Sequence, residues 1–475
     1  MGSATVRTGV PAGGTGGGAA RPVVIASNRG PLSYRDEDGV LVGHRGGGGL
    51  VSGLAPLIDD GRATWIAAAL SDADRRAVAE GRPQADGQPV HLLDIDPDDF
   101  RRYYDVIANE TLWFVHHGLF DLARSPAFDD DWRASWEAYR RVNTAFALAV
   151  VEHAPADAAV LVQDYHLTLL APIVRRARPD LRLVHFHHTP FAGPDNARVL
   201  PPDVLAEILA SLAAHHACGF HTEVWARNYQ DVQARWGTPS ATCDTFESTL
   251  NSDADELDRV ARSAACDGAL RLLDERVGDR RLIVRVDRME LSKNILRGFT
   301  AYDLLLERRP DLRGTVTFAA YCYPSRLGVP AYARYRDDVV AAADAVNRRW
   351  GTPGWTPVEL LTDDDHPRSV AALRRYDVLL VNPVRDGLNL VAKEGPMVNE
   401  HHGQLVLSTE AGAWTELMGA ADGISPFDVR ATALALEAAL DRSDDERRAR
   451  ADLLRRSASA RTPADWLADQ LAAAG

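Results

Sequence analysis

The sequence predicts an α/β protein built from two doubly wound halves, and three observations predict it. The chain has 475 residues, too many for one compact core, so two domains of about 200 residues each are the default. From residue 22 onward, short apolar runs alternate with long helical stretches, as a parallel sheet covered by helices on both faces requires. That alternation then occurs a second time further along the chain.

In the first half, PVVIAS (22–27), AAVLVQ (158–163) and LRLVHFH (181–187) read as strands. In the second, RRLIVRV (280–286), GTVTFAAY (314–321), PVELLT (357–362), YDVLLV (376–381) and GQLVLS (403–408) supply a further sheet, with amphipathic helices over 295–310 and 332–350. The segment 237–256 (GTPSATCDTFESTLNSDADE) mixes turn formers with acids and marks the boundary. The expected domains are therefore 22–245 and 246–450, facing a central cleft. Residues 1–21 are rich in Gly, Ala and Thr without the apolar core of a signal peptide and read as a disordered tail. Helical spacing continues over 430–475, with 451–475 expected to return across the N-terminal domain. The Arg/Ala/Asp bias of 441–461 fits a solvated helix surface better than a binding tract.

Composition narrows the function classes. The balance of 53 Lys and Arg against 67 Asp and Glu gives a net charge of −14, which disfavours nucleic acid and anionic membranes as partners. A small anionic substrate fits, because a few local cations can hold a phosphate on an acidic protein. No apolar run approaches the ~18 residues of a membrane span. Cys218, Cys243, Cys266 and Cys322 are scattered without CxxC spacing, which indicates neither zinc site nor disulfide framework and fits a reducing cytoplasm.

Four segments carry candidate chemistry, each at the end of a predicted strand, where helix N-termini present unpaired N–H groups to ligands. In VNPVRDGLNLVAKEGP (381–396), Asp386-Gly387 makes a tight turn, and the amides of Leu388, Asn389 and Leu390 can point at a diphosphate. Glu394, about two turns into the helix, could take the hydroxyls of a ribose; Asp386 could accept hydrogen bonds from a sugar. An ordinary strand-turn-helix with surface charges would look the same. In VRVDRMELSKN (284–294), Arg288 and Lys293 can hold both phosphates of a nucleotide diphosphate and neutralise a departing phosphate. In SNRGPLSY…HRGGGGLVSGL, Arg29 ends the first strand and Gly46 to Gly49 form a loop whose bare backbone can approach a ligand. The pair LVQDYHL and HFHHTPF sets Asp164 and His188 at one sheet edge, where such groups can also simply satisfy loop backbone. No Ser-His-Asp elbow, HExxH helix or metal cage is visible.

Together these motifs resemble one family: SNR, GGL, YY…LW, DYHL, HHTPF, R.ELSKN, PSR, GTPGWTPV and RDGLNLVAKE occur in order between about residues 22 and 470, as in the trehalose-6-phosphate synthases of glycosyltransferase family 20. HRGGGGLVSGL, VQDYHL and VRVDR.ELSKN look most like the actinobacterial branch and are similar to its relative, the pseudo-glycosyltransferase that makes validoxylamine phosphate. The resemblance implies a GT-B fold of two Rossmann-like domains, no cofactor, no metal, and room for a homo-oligomer. It implies that Gly49, Arg288 and Lys293 bind the donor diphosphate, that Asp386 and the amides of Gly387, Leu388 and Asn389 hold the donor sugar, and that Glu394 holds the ribose. His188 would contact the donor glucose and Asp164 the acceptor sugar. Arg29, Tyr104, Trp113 and Arg326 would take the acceptor phosphate, with Arg326 reaching across the cleft. The implied reaction moves glucose from a nucleoside diphosphate to glucose 6-phosphate with retention. The actinobacterial likeness places GDP-glucose ahead of UDP-glucose, with Asn382 and the DDDHPRS loop (363–369) as the region to search for guanine recognition.

The sequence departs from the family at two points. TWIAAAL keeps Trp65 but has Ala68 where an aromatic residue is usual, and the turn before the second domain reads STLNSD instead of Pro-x-Gly. Ala68 keeps open a specialised acceptor, a cyclitol phosphate or nucleoside-type molecule.

Overall fold

A computed structural model describes residues 21–45, 51, 54, 63–81, 84–85, 88–238 and 243–475. The chain forms two compact units, one running to Leu250 and taking back Pro463–Gly475, the other comprising Asn251–Thr462. The division falls later than the expected 245/246 because β10 (Asp244–Glu247) is still a strand of the first sheet. Asn251, by contrast, is tied to the second unit through hydrogen bonds from its amide to the carbonyls of Ala458 and Arg461, both 2.6 Å. The segment that rejoins the first unit begins at Pro463 and not at 451, since the helix Asp444–Ala458 packs on the second unit against the helix Val391–Val398.

Among the described residues of the first unit, the main sheet has eight strands in the order β10-β9-β8-β7-β1-β4-β6-β5. Its centre is β1 (Val23–Ala26), flanked by β4 (Ala63–Ala68) and β7 (Ala159–Gln163), with β8 (Arg182–His187) and β9 (Ala217–Phe220) beyond β7. β6 (Gln88–Leu93) follows β4, and only β5 (Gln84–Ala85) pairs antiparallel. The chain leaves β1 in one direction through β4 and in the other through β7. The strand order therefore reverses between β1 and β7, the place where open α/β sheets bind ligands. β1 and β7 are buried at every position, which explains why they read as continuous apolar runs without alternation.

A hairpin absent from the sequence reading joins β2 (Leu32–Glu37) to β3 (Val40–Arg45). Its two-residue turn is Asp38-Gly39, both at positive φ (53° and 86°), the mirror-image turn that matches strand twist and that Asp-Gly favours.

In the second unit the described strands order β13-β12-β11-β14-β15-β16, all parallel. They are β11 (Arg281–Met289), β12 (Val316–Pro324), β13 (Val358–Leu361), β14 (Val378–Val381), β15 (Gln404–Ser408) and β16 (Asp422–Ile424). Here the reversal lies between β11 and β14. The helices Ile295–Arg308 and Pro330–Trp350 cover one face and bury Phe299, Tyr302, Tyr335 and Val339 against Phe318 and Ile283. No described helix is long and apolar enough to cross a membrane.

The first unit buries an unusual set of imidazoles: His116, His185, His187 and His215. Loss of water lowers every one, His116 to about 3, His215 to about 4, and His185 and His187 well below 6.5, with neighbouring histidines pushing all four the same way. In the unfolded chain each titrates near the ordinary ~6.5, so as pH falls the unfolded state takes up protons first. The stability these groups contribute is complete above about pH 6.5 and declines as pH drops toward their folded-state values. The urea midpoint of the first unit should therefore hold between pH 8 and 7 and fall steadily below about 6.5; an unchanged midpoint down to pH 4.5 would refute this account.

Candidate functional site

In the first unit, Asp164 leaves β7 and His188 leaves β8, and the two meet: the His188 N–H donates to Asp164 Oδ1 at 3.2 Å. Asp164 has φ 69° and ψ 171°, a region that ordinarily only glycine visits and that costs about 1–3 kcal/mol. The strain is held by its own N–H donating to the Phe186 carbonyl at 2.7 Å. The carboxylate is also 3.8 Å from the His166 ring, which stacks on Tyr104 with centroids 5.8 Å apart. Arg29 follows β1 and is exposed, while Ser27 beside it accepts from the Trp65 indole at 2.7 Å. Trp113 is buried against His117, centroids 4.0 Å apart.

His188 is oriented from behind. Its Nε2–H donates to Gln163 Oε1 at 2.9 Å, and the Gln163 amide donates to Gln470 Oε1 at 3.0 Å on the returning helix Pro463–Ala474. Burial, reinforced by His221, lowers its pKa well below the ordinary histidine value, so the ring is neutral with Nδ1 as its lone-pair nitrogen.

In the second unit, β11 runs into a single tight turn, Leu291–Lys293, then Asn294 at φ 58°, then the helix from Ile295. The loop after β14 lies beside it, joined by the Val384 N–H donating to the Ser292 carbonyl at 2.8 Å. Lys293 Nζ sits 2.6 Å from Asp386 Oδ2, which also accepts from Asn389 Nδ2 at 3.1 Å. Burial by itself would lower the Lys293 pKa, but the carboxylates of Asp386, Asp287 and Glu290 outweigh it and the net shift is upward. Lys293 is therefore an ammonium at neutral pH.

Arg288 and Arg326, from the ends of the adjacent strands β11 and β12, turn toward Glu290: Arg288 Nη1 lies 3.1 Å from its carboxylate and Arg326 Nη1 3.8 Å. Arg288 keeps 46% of its side chain exposed, so it can meet an anion, whereas Arg326 is largely covered and donates to the Tyr332 hydroxyl at 2.9 Å. Glu290 is almost wholly buried; its position between the two cations escaped the sequence reading, although it stands inside the ELSKN motif.

The RDGLN loop is held from both sides. The Asp386 N–H donates to the Glu410 carbonyl, Gly412 N–H to the Asp386 carbonyl, and Ala413 N–H to the Leu388 carbonyl. Asn389 has φ 81° and its Oδ1 accepts from the Ala392 N–H at 3.2 Å, which delays the helix to Val391–Val398. Glu394 thus lies in the first turn and not two turns in. Its carboxylate accepts from the Ser252 hydroxyl at 2.6 Å, a partner from the STLNSD turn that no local motif announced. Leu388 is buried and Leu390 half-buried at the loop's end.

Other polar groups of these loops are engaged elsewhere. Asn382 is buried and donates to the Asn294 carbonyl at 3.2 Å, bracing the turn after Lys293. Lys393 is fully buried on Glu416 at 2.8 Å. In the 363–369 segment, Asp365 caps a helix by accepting from the Arg368 N–H at 2.9 Å. Gly46 to Gly49 lie outside the described residues. Among the described residues, no three His, Cys, Asp or Glu side chains are grouped to hold a metal ion.

Each unit thus collects polar groups at strand ends at or next to the point where its order reverses: a strained carboxylate and, one strand further out, a neutral imidazole in one, and in the other a fixed ammonium, a half-exposed guanidinium and loop amides suited to an anion. The family model described as glycosyltransferase family 20 matches residues 21–474. The chain belongs to glycosyltransferase family 20. Among relatives of this family, the trehalose-6-phosphate synthase of Mycolicibacterium smegmatis is 31% identical, over 95% of this chain and 92% of its own. A solved UDP-forming α,α-trehalose-phosphate synthase from Burkholderia vietnamiensis superposes with TM-score 0.82 at 28% identity, over 94% of this chain and 99% of that one. The E. coli protein solved with UDP-2-fluoro glucose gives 0.82 at 26%, over 95% and 99%. The two parallel-sheet units are the GT-B architecture of this family, and the chain is a glycosyltransferase.

The close approach of two loops yields a prediction. A Cβ on Gly412 would stand 2.0 Å from the Gly387 carbonyl oxygen, so Gly412→Ala must displace the turn that carries Asp386. The variant should lose roughly 1–3 kcal/mol of stability, read as a lower urea midpoint; wild-type stability would contradict the packing described.

Proposed function

We propose that this family 20 glycosyltransferase moves glucose from a nucleoside diphosphate to glucose 6-phosphate with retention at the anomeric carbon, giving α,α-trehalose 6-phosphate. The observation that carries the proposal is the Lys293–Asp386 pair at 2.6 Å with Arg288 nearby, at the carboxyl ends of β11 and β14. Arg288 and Lys293 bind the donor diphosphate together with Gly49 and the Leu390 amide, and Asp386 with the Gly387, Leu388 and Asn389 backbone holds the donor sugar. Glu394 takes the ribose, and Ser252 holds its carboxylate in place. His188 presents Nδ1 to the donor glucose. Asp164 orients the acceptor hydroxyl, and Arg29, Tyr104, Trp113 and Arg326 serve the acceptor phosphate.

The departing phosphate and the incoming hydroxyl share one face of an oxocarbenium-like centre, and the phosphate oxygen takes the acceptor proton. Protein catalysis is then positioning plus stabilisation of charge developing on the leaving group. GDP-glucose is the favoured donor on the actinobacterial likeness, which the mycobacterial relatives support. The UDP-forming solved relatives argue for testing UDP-glucose beside it.

Nucleotide release from GDP-glucose or UDP-glucose in the presence of glucose 6-phosphate tests the reading directly; silence with both donors would overturn it. Lys293→Ala and Arg288→Ala should each lower kcat about 10²–10³-fold. Arg326→Ala should raise KM for glucose 6-phosphate well above any change in donor KM, and equal effects on both substrates would assign Arg326 to the donor with Arg288. Ala68, buried at the end of β4, supports a second reading with a cyclitol-phosphate acceptor. That reading gains if donor binds but glucose 6-phosphate elicits no release.

A further inference from the structure

Arg285 is a charged side chain near the donor-side loops with no exposed surface. It sits mid-strand in β11, two residues before Asp287 and on the same face. Its Nε and Nη2 donate to one oxygen of Asp287, at 3.1 and 2.8 Å, and Nη2 also donates to the Lys293 carbonyl at 2.9 Å. Among the described residues Nη1 has no hydrogen-bond partner.

For stability alone this is a poor arrangement. Two desolvated charges with a donor left over are often matched or bettered by a well-packed apolar pair of similar volume. What an apolar pair cannot do is donate to the Lys293 carbonyl. That carbonyl closes the turn Leu291–Lys293 immediately before Asn294, the one left-handed residue of the segment.

The surroundings are fitted to the guanidinium. Gly298, in the following helix, leaves room for it: a Cβ there would fall 2.5 Å from Arg285 Nη1. The rest of the turn is anchored independently. Asn294 donates to the carbonyls of Asn382 and Pro426, at 2.9 and 2.7 Å, and the Ile295 N–H donates to the Tyr335 hydroxyl at 2.8 Å. Asn294 and Ile295 therefore have fixed points of their own, and the Lys293 carbonyl has Arg285.

We propose that Arg285, pinned by Asp287, is a positioning residue that fixes the Lys293 main chain and so sets where the Lys293 ammonium stands against Asp386 and the donor diphosphate. The proposal rests on the reading of Lys293 as a diphosphate-binding cation. The guanidinium grips Asp287 with both Nε and Nη2 while Nη2 reaches on to the Lys293 carbonyl; a lysine at 285 brings one nitrogen on a shorter stem and cannot keep all three contacts. A displacement of about 1 Å at a positioned group can cost about 10²-fold in rate, so the effect of losing Arg285 should be large while the fold survives.

The test measures GDP and UDP binding by titration calorimetry on the full chain, which needs no knowledge of the acceptor, for Lys293→Ala, for the apolar pair Arg285→Met with Asp287→Leu, and for all three substitutions together. The apolar pair should unfold near the wild-type midpoint and bind the diphosphate about 10–100-fold more weakly. In the Lys293→Ala background it should add nothing, because both changes remove the same interaction. Losses that multiply would show that Arg285 acts elsewhere and overturn the proposal, as would wild-type binding by the apolar pair. Should that pair fail to fold, Arg285→Lys keeps a charge beside Asp287 but gives up the carbonyl contact; it should show the same weakening, and undiminished binding would equally refute the role. Binding unaffected by Lys293→Ala alone would instead sink the assignment of Lys293, and an unmodified protein that binds neither nucleotide would sink the donor reading as a whole.

Discussion

The ion pair between Lys293 and Asp386 is the constraint on which the second unit's candidate site depends. It joins the loop after β11 to the loop after β14, the two strands between which the sheet order reverses. A pair this covered is stable only if its hydrogen bonds are nearly complete. Asn389 supplies one to Asp386, and the backbone of 410–413 fixes the turn that carries the carboxylate. The carboxylates of Asp386, Asp287 and Glu290 hold the Lys293 pKa up at a place where burial alone would lower it. The polar neighbours of Lys293 thus do two things at once: they hold the loops together and they keep the ammonium ionised.

The first unit solves its own positioning problem by different means. Asp164 is held in a backbone conformation that a side-chain-bearing residue rarely adopts, with its carboxylate against the His188 N–H. Strain of this kind persists only where surrounding structure over-determines it. Here the Phe186 carbonyl and the stacked rings of Tyr104 and His166 supply that surrounding structure. The neutral state of His188 follows from desolvation, and its ring orientation from Gln163.

Much of this was legible in the amino-acid order, and the reasons for success and failure are physical. Buried parallel strands such as β7 and β14 leave continuous apolar runs, so their ends located Asp164 and Asp386 correctly relative to the sheets. The motif residues Arg288 and Lys293 could be paired with Asp386 because both segments follow strands that a doubly wound sheet sets side by side. What escaped were contacts made over long separations. Ser252 reaches Glu394 and Gln470 reaches Gln163, and neither partner has a periodic or local signal; Glu290 lies inside a motif, but its place between Arg288 and Arg326 depends on β11 and β12 being neighbours. The start of the helix at Val391 was misplaced because Asn389, through its positive φ and its cap on Ala392, holds back the first turn. Asn382 looked like a strand-end recognition residue, but its side chain turns inward to brace Asn294.

The returning helix Pro463–Ala474 has a consequence for how the protein is made. Trp466 packs edge-on against Phe186, and Gln470 completes the hydrogen-bonded relay to His188. A ribosome emits β7 and β8 early and this helix only after the entire second unit, a lag on the order of tens of seconds at ordinary elongation rates. Throughout that interval the nascent first unit exposes an unfinished sheet face, so its imidazole reaches working orientation only after the whole second unit has been made.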